Sequence, residues 1–240
     1  MEKKAKIIAT LGPSIYSEYK LKKIIDLGVD AFRVNFSHNT KGIDKIISRI
    51  RKIEKKKRKH IPIIADLQGV KLRIGELKNK NIKIKYNQKY IFDNKNNKGD
   101  NTRVKFPFPS ILKKIKKGNK ILIDDGKYVF IVLGKKNNQI ITKCKSQNCV
   151  LNSNKSVHIP KIEIPFNRLT LKDRKDIKEA TRLGFNWIAL SYLQNEKIIL
   201  ETRRILKKDV GIIAKIENKL ALRNITKIIM AADTIMIARG

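Results

Sequence analysis

The sequence predicts an α/β fold interrupted by a small all-β insertion. Two observations carry this. Short apolar strands alternate with amphipathic helices in the first and last thirds of the 240 residues, and between them lie closely spaced, alternating strands separated by Asn, Gly and Lys turns.

In order, residues 6–11 read as a strand closed by Gly12 and Pro13, and Ser17 caps a helix that ends near Gly28. Residues 31–36 form a second strand and 43–57 a second helix, with Ile43, Ile46, Ile47 and Ile50 at helical spacing. Residues 61–67 are a continuous apolar run, suited to a parallel strand buried on both faces. From about Gly75 to Pro165 the pattern turns to β, with strands such as 82–86 and 120–133, read as an antiparallel module. The βα rhythm then resumes: helix 171–183, strand 187–192, helix 195–207, strand 211–217, helix 220–231 and strand 234–239. The expected domains are 1–74, an inserted 75–165, and 166–240. Six strands in this rhythm suit either a doubly wound sheet or the start of an eight-fold barrel, and periodicity does not separate the two.

Charge is the unusual feature of the composition: 56 Lys and Arg against 21 Asp and Glu, a formal net charge of +35. Any polyanion would be attracted. Yet Lys is spread over nearly every segment and aromatics are only 6%, unlike an interleaved nucleic-acid face, so a background bias on solvated positions is the preferred reading. The run from Arg49 to His60 reads the same way. Cys144 and Cys149 match no zinc or CxxC spacing, which makes a reducing compartment the default. Neither a signal peptide nor a membrane span of about 20 apolar residues is expected, and the expected location is cytoplasmic.

Chemistry gathers at strand ends. Arg33, Asn35 and Ser37 are two apart and share a strand face, an arrangement suited to phosphate and a cation. Asp66 closes the third strand, followed by Lys71 and Arg73. Lys215 and Glu217 share a face of the fifth strand, where Lys can neutralise a transferring phosphoryl group and Glu can hold Mg²⁺. Each segment alone reads equally well as a surface Arg with a turn-capping Asn, or as a strand-end ion pair.

Together, the segments 9–14, 33–38, 66–69, 123–127, 169–173, 214–218 and 237–240 resemble the motifs of pyruvate kinases, in that family's order and at about its spacings. The resemblance covers essentially the whole chain. It implies a (β/α)8 barrel of TIM type, incomplete at about six βα units, with an inserted small β-barrel lid. It implies phosphoryl transfer from phosphoenolpyruvate to ADP, giving pyruvate and ATP. By the same resemblance Arg33 and Lys215 are catalytic and hold the substrate with Gly240. Asn35, Phe36, Ser37, His38, Arg73 and Lys155 surround the nucleotide, and Glu217 binds Mg²⁺. Asn35, Ser37, Asp66 and the Leu67 carbonyl match the K⁺ site. However, Lys71 stands where K⁺-dependent members carry Glu, so a tethered ammonium replaces K⁺ and no K⁺ requirement is expected.

Four positions depart from the family pattern: Val70 replaces Pro, Asn148 and Cys149 replace a Gly pair, and Ser156 replaces Gly. The family's second Mg²⁺ carboxylate follows the Ala-Arg-Gly at 238–240, and its last two barrel strands, proton-delivering Thr and C-terminal regulatory domain are not among the 240 residues. The expectation is therefore impaired turnover, or a complementing C-terminal polypeptide. Homo-oligomer formation is left open. The alternative function is a non-enzymatic relic barrel that binds RNA or other polyanions; retention of Arg33, Lys215 and Glu217 together favours the enzyme.

Overall fold

A computed structural model describes residues 5–37, 41–70, 72–106, 109–160, 162, 168–206 and 209–238. Contacts divide the chain into two compact units, 1–70 with 166–240, and 71–165. Arg73 therefore belongs to the second.

The first unit begins with β1 (Ile8–Thr10), shorter than the predicted strand, and a 3-10 turn at Pro13–Ile15. Helix α1 (Glu18–Asp26) follows. The Ser17 hydroxyl accepts from the Lys20 N–H, and Gly28, at φ 103°, makes the left-handed exit that a side chain would resist. Strand β2 (Ala31–Asn35) and helix α2 (Ile43–Lys57) come next; α2 buries Ile43, Ile46, Ile47, Ile50 and Ile53 along one stripe. Strand β3 (Ile63–Asp66) is buried throughout.

The second unit holds β4 (Ile82–Ile84), β5 (Lys89–Asp93), β6 (Arg103–Lys105), α3 (Pro109–Lys114), β7 (Lys120–Ile123), β8 (Tyr128–Lys136), β9 (Gln139–Cys144), β10 (Cys149–Leu151) and β11 (Val157–His158). A two-stranded and a six-stranded sheet share one core in which Tyr90, Phe92, Phe106 and Phe130 are fully buried and stack edge to face. Two expectations change here. Residues 120–133 are not one strand but two, reversed by Asp124, Asp125 and Gly126, all at positive φ. The module is also not wholly antiparallel, since β5 pairs parallel with β6. Asn148 sits at φ 51°, a conformation that Asn tolerates in place of Gly. Cys144 and Cys149 are free thiols, both buried. Burial pushes the Cys149 thiol well above its usual range, with Cys144 beside it adding to the rise, so it stays protonated and unreactive at neutral pH.

The first unit resumes with α4 (Leu171–Arg182), β12 (Trp187–Leu190), α5 (Lys197–Ile205), β13 (Gly211–Ile216), α6 (Lys219–Arg223), α7 (Ile225–Ala231) and β14 (Thr234–Ile237). The single helix predicted over 220–231 is broken at Asn224, whose side-chain amide donates to the carbonyls of Gln194 and Leu220.

All six strands of this unit are parallel and lie in chain order, β1-β2-β3-β12-β13-β14. A doubly wound sheet reverses its strand order at a switch point; a barrel does not. The architecture is an incomplete α/β barrel. Strand residues alternate faces. Phe32, Val34, Ile63, Ala65, Ile188, Leu190, Ile212 and Ala214 join the helices in the main core. Ile64, Ala189 and Ile213 form a separate cluster on the opposite, inner face.

Gly211 opens β13 directly under the Trp187 ring, where an added Cβ would lie 2.3 Å from ring carbons. Gly211→Ala is expected to cost about 1–3 kcal/mol through overpacking. Urea unfolding followed by the emission of Trp187, the single tryptophan, checks it.

Candidate active site

Strand parity brings the chemistry to one place. Continuing the inner-face positions of Ile64, Ala189 and Ile213 by two residues gives Asp66, Ser191 and Lys215, and a further step along β13 gives Glu217. Arg33 and Asn35 are the corresponding positions of β2, with Asn35 paired to Asp66 across the register. These side chains crown the C-terminal ends of parallel strands, which is where barrel folds carry their sites.

Asp66 is the hub. Its side chain is 2% exposed, and Arg33 Nε donates to Oδ2 at 2.7 Å. Lys215 Nζ lies 3.1 Å from Oδ1, and the Ser191 hydroxyl donates to the same oxygen at 3.2 Å. Lys215 Nζ also donates to Ser191 Oγ at 2.8 Å and pairs with Glu217 Oε1 at 3.1 Å. The other carboxylate oxygen of Glu217 accepts from the Tyr192 N–H at 2.7 Å. Tyr192 itself sits at φ 56°, the left-handed region, which is costly for a bulky residue and fits a functional site. Arg33 Nη1 donates to Thr10 Oγ1 at 2.9 Å, so β1 braces the guanidinium from its far side. Two cations and two carboxylates thus form one chain, Arg33–Asp66–Lys215–Glu217. Such a cluster can hold and neutralise a phosphoryl group, with little freedom for the cations to wander.

Residues 2–240 match the family model described as "Pyruvate kinase, barrel domain". The chain belongs to the pyruvate kinase family. It is 34% identical over 239 residues to the pyruvate kinase of Methylorubrum extorquens, covering 99% of this chain and 50% of that protein. It is 36% identical over 240 residues to one from Agrobacterium vitis, again 99% and 50%. A crystal structure of a pyruvate kinase from Cryptosporidium parvum superposes with TM-score 0.89 at 28% identity, covering 98% of this chain and 50% of that one. The chain spans about half the length of the curated relatives it matches.

The other residues picked out by likeness to pyruvate kinases divide into four groups. Asn35 and Ser37 are linked locally, the Ser37 N–H donating to Asn35 Oδ1 at 2.9 Å. Phe36 and Leu67 carry core side chains, each 2% exposed. The Phe36 ring meets Phe185 edge on, and its carbonyl accepts from Lys172 Nζ at 2.7 Å. Arg73 and Lys155 lie in the inserted unit. Arg73 Nη1 donates to the Asn154 carbonyl at 2.9 Å, while Lys155 Nζ pairs with Asp124 at 2.9 Å beside a hollow of about 550 Å³ lined also by Lys127 and Tyr128. Ser156, in place of the family's Gly, is tied to the Asp125 carboxylate by its hydroxyl at 2.7 Å. His38, Lys71 and Gly240 fall outside the described residues.

Sequence reasoning missed Ser191, the one neutral side chain between Asp66 and Lys215. The available signal was position: it directly follows β12, as Glu217 follows β13. Among the described residues no helix is long and apolar enough to cross a membrane.

Proposed function

We propose that the Arg33–Asp66–Lys215–Glu217 cluster serves pyruvate kinase chemistry, the transfer of the phosphoryl group of phosphoenolpyruvate to ADP. The observation that carries this reading is Lys215, buried between two carboxylates on the inner face of a strand end, in a chain whose relatives are named pyruvate kinases.

Phosphoryl transfer asks the protein for positioning and for charge opposite the moving group, and little else. Arg33 contacts the phosphoryl oxygens, held in place by Asp66 and Thr10. Lys215 follows the group from donor to acceptor and balances the enolate oxygen left behind. Asn35, Ser37, His38, Arg73 and Lys155 are the proposed nucleotide contacts, and the Gly240 backbone the proposed carboxylate contact.

Glu217 offers a single carboxylate, and among the described residues no group of three or more His, Cys, Asp or Glu forms a protein cage for a metal. That donor set fits Mg²⁺, which keeps several waters and binds through one or two carboxylates plus substrate oxygens. When bound, Mg²⁺ supplies charge neutralisation of the phosphoryl oxygens. A K⁺ site fits less well. Both Asp66 oxygens are engaged by cations and a hydroxyl, and Asn35 Oδ1 already accepts a backbone N–H. Turnover is expected to be unchanged between K⁺-free and K⁺-containing buffer; a strict K⁺ requirement would overturn that part.

The proposed partners are phosphoenolpyruvate, ADP and a complementing C-terminal barrel segment. The last would complete the α/β barrel, which holds six parallel strands among the described residues. A coupled assay of pyruvate formation tests the reading, with the chain alone and mixed with the C-terminal half of a relative. Mg²⁺-dependent turnover in the mixture supports it. A folded mixture that responds to neither substrate, while binding RNA in a salt-dependent way, favours the polyanion alternative.

A further inference from the structure

We propose that Asp173 is a positioning residue, clamping together the two points where the chain leaves and returns to the barrel unit and holding Lys215 in place through them. Asp173 lies in the first turn of α4 and is 3% exposed. Its role in a capping box with Thr170 uses one carboxylate oxygen: Oδ2 accepts from the Thr170 N–H at 3.2 Å and from its hydroxyl at 2.7 Å. The remaining oxygen, Oδ1, accepts at 3.1 Å from the N–H of Gly69, 104 residues earlier in the chain.

Both partners lie at the margins of the unit. Gly69 stands just before the chain departs after Val70, and Thr170 follows closely on its return at 166. One buried carboxylate therefore joins the outgoing and returning segments. The same helical turn also holds the end of β2, through the bond from Lys172 Nζ to the Phe36 carbonyl. A helix cap alone needs none of these distant ties.

The link onward to the site is steric. Gly69 is at φ 62°, and a Cβ there would sit 2.4 Å from the Ser191 carbonyl oxygen, so the two backbones are in close contact. Ser191 in turn accepts the ammonium proton of Lys215. The line of force runs Asp173, Gly69, Ser191, Lys215. Displacement of the outgoing segment is resisted at Gly69 before it reaches the lysine. This adds a residue to the phosphoryl-transfer reading, since its end point is Lys215, but it can be read without turnover.

The test compares the 240-residue wild type, Asp173→Ala, Asp173→Asn and Thr170→Ala by amide exchange and by the rate at which an acylating reagent labels Lys215, located by peptide mass. Losing a charged acceptor in Asp173→Ala should speed exchange at Gly69 about tenfold or more, and Lys215 labelling about threefold or more through local opening. Asp173→Asn, which retains an acceptor oxygen, should lie between. Thr170→Ala should loosen the first turn of α4 and leave Gly69 and Lys215 as in wild type. Unchanged Gly69 exchange in both Asp173 variants overturns the clamp. An equal rise in Lys215 labelling in Thr170→Ala reduces Asp173 to an ordinary cap. If Asp173→Ala loses native Trp187 emission, Asp173→Asn against Thr170→Ala decides. Absence of pyruvate formation in wild type would count against the proposed function and leave these readouts intact.

Discussion

Replacing Lys215 with Met is expected to lower kcat by about a thousandfold or more while leaving the chain folded. The side chains are similar in length, so the loss is the charge proposed to lie opposite the moving phosphoryl group, and a single such group is worth that much in phosphoryl and acyl transfer. The fold survives because neither carboxylate that Lys215 touches is orphaned. Asp66 keeps Arg33 and Ser191, and Glu217 keeps the Tyr192 N–H. The stability cost is therefore about 1–3 kcal/mol, that of lost charge-assisted hydrogen bonds. Pyruvate formation by the chain mixed with the C-terminal half of a relative, beside urea unfolding read by Trp187, separates the two effects. Turnover within tenfold of wild type would remove Lys215 from the chemistry.

The largest loss of stability is expected for Asp66→Ala. Here the common anion disappears, leaving Arg33 and Lys215 close to one another with no carboxylate between them, and the Ser191 hydroxyl without its acceptor. Breaking a buried pair so that charge is left uncompensated costs about 3–5 kcal/mol. Arg33, 27% exposed, can turn outward and recover some of this, which takes the cation away from where the phosphoryl group is proposed to bind. Asp66→Asn keeps the shape and an acceptor for Ser191, so its cost should be smaller. Urea unfolding monitored at Trp187 reports the barrel unit specifically, because that residue opens β12 beside β3. A shift of less than about 1 kcal/mol for Asp66→Ala would mean that the four-residue chain of charges does not hold this end of the sheet together.

Much of this was legible from spacing alone. The period of two on a strand already put Arg33 with Asn35, and Lys215 with Glu217. It could not say that these strands face the same space, because that depends on neighbours and register. β3 is followed in the sheet by β12, 121 residues on from Asp66 to Trp187, and only that pairing sets Ser191 beside Asp66. Resemblance to the family supplied what periodicity left open, the choice of barrel over doubly wound sheet, and strand order then agreed with it.

The misses have physical causes. Asp124-Asp125-Gly126 is a turn signal that the alternating apolar pattern on either side concealed, while the parallel β5–β6 pair has no local signature at all. The break at Asn224 depends on a carbonyl of Gln194, 30 residues away. Asp173 closes a capping box with Thr170, and its further bond to Gly69, 104 residues earlier, has no local signature in the sequence.

The most direct test is calorimetric titration of the chain with phosphoenolpyruvate in the presence of Mg²⁺, beside the Lys215→Met variant. Saturable, Mg²⁺-dependent binding to wild type is expected, weakened at least about tenfold by the substitution through the loss of one charge-assisted contact. Failure of the folded chain to bind phosphoenolpyruvate, or binding that the substitution leaves unchanged, would contradict it.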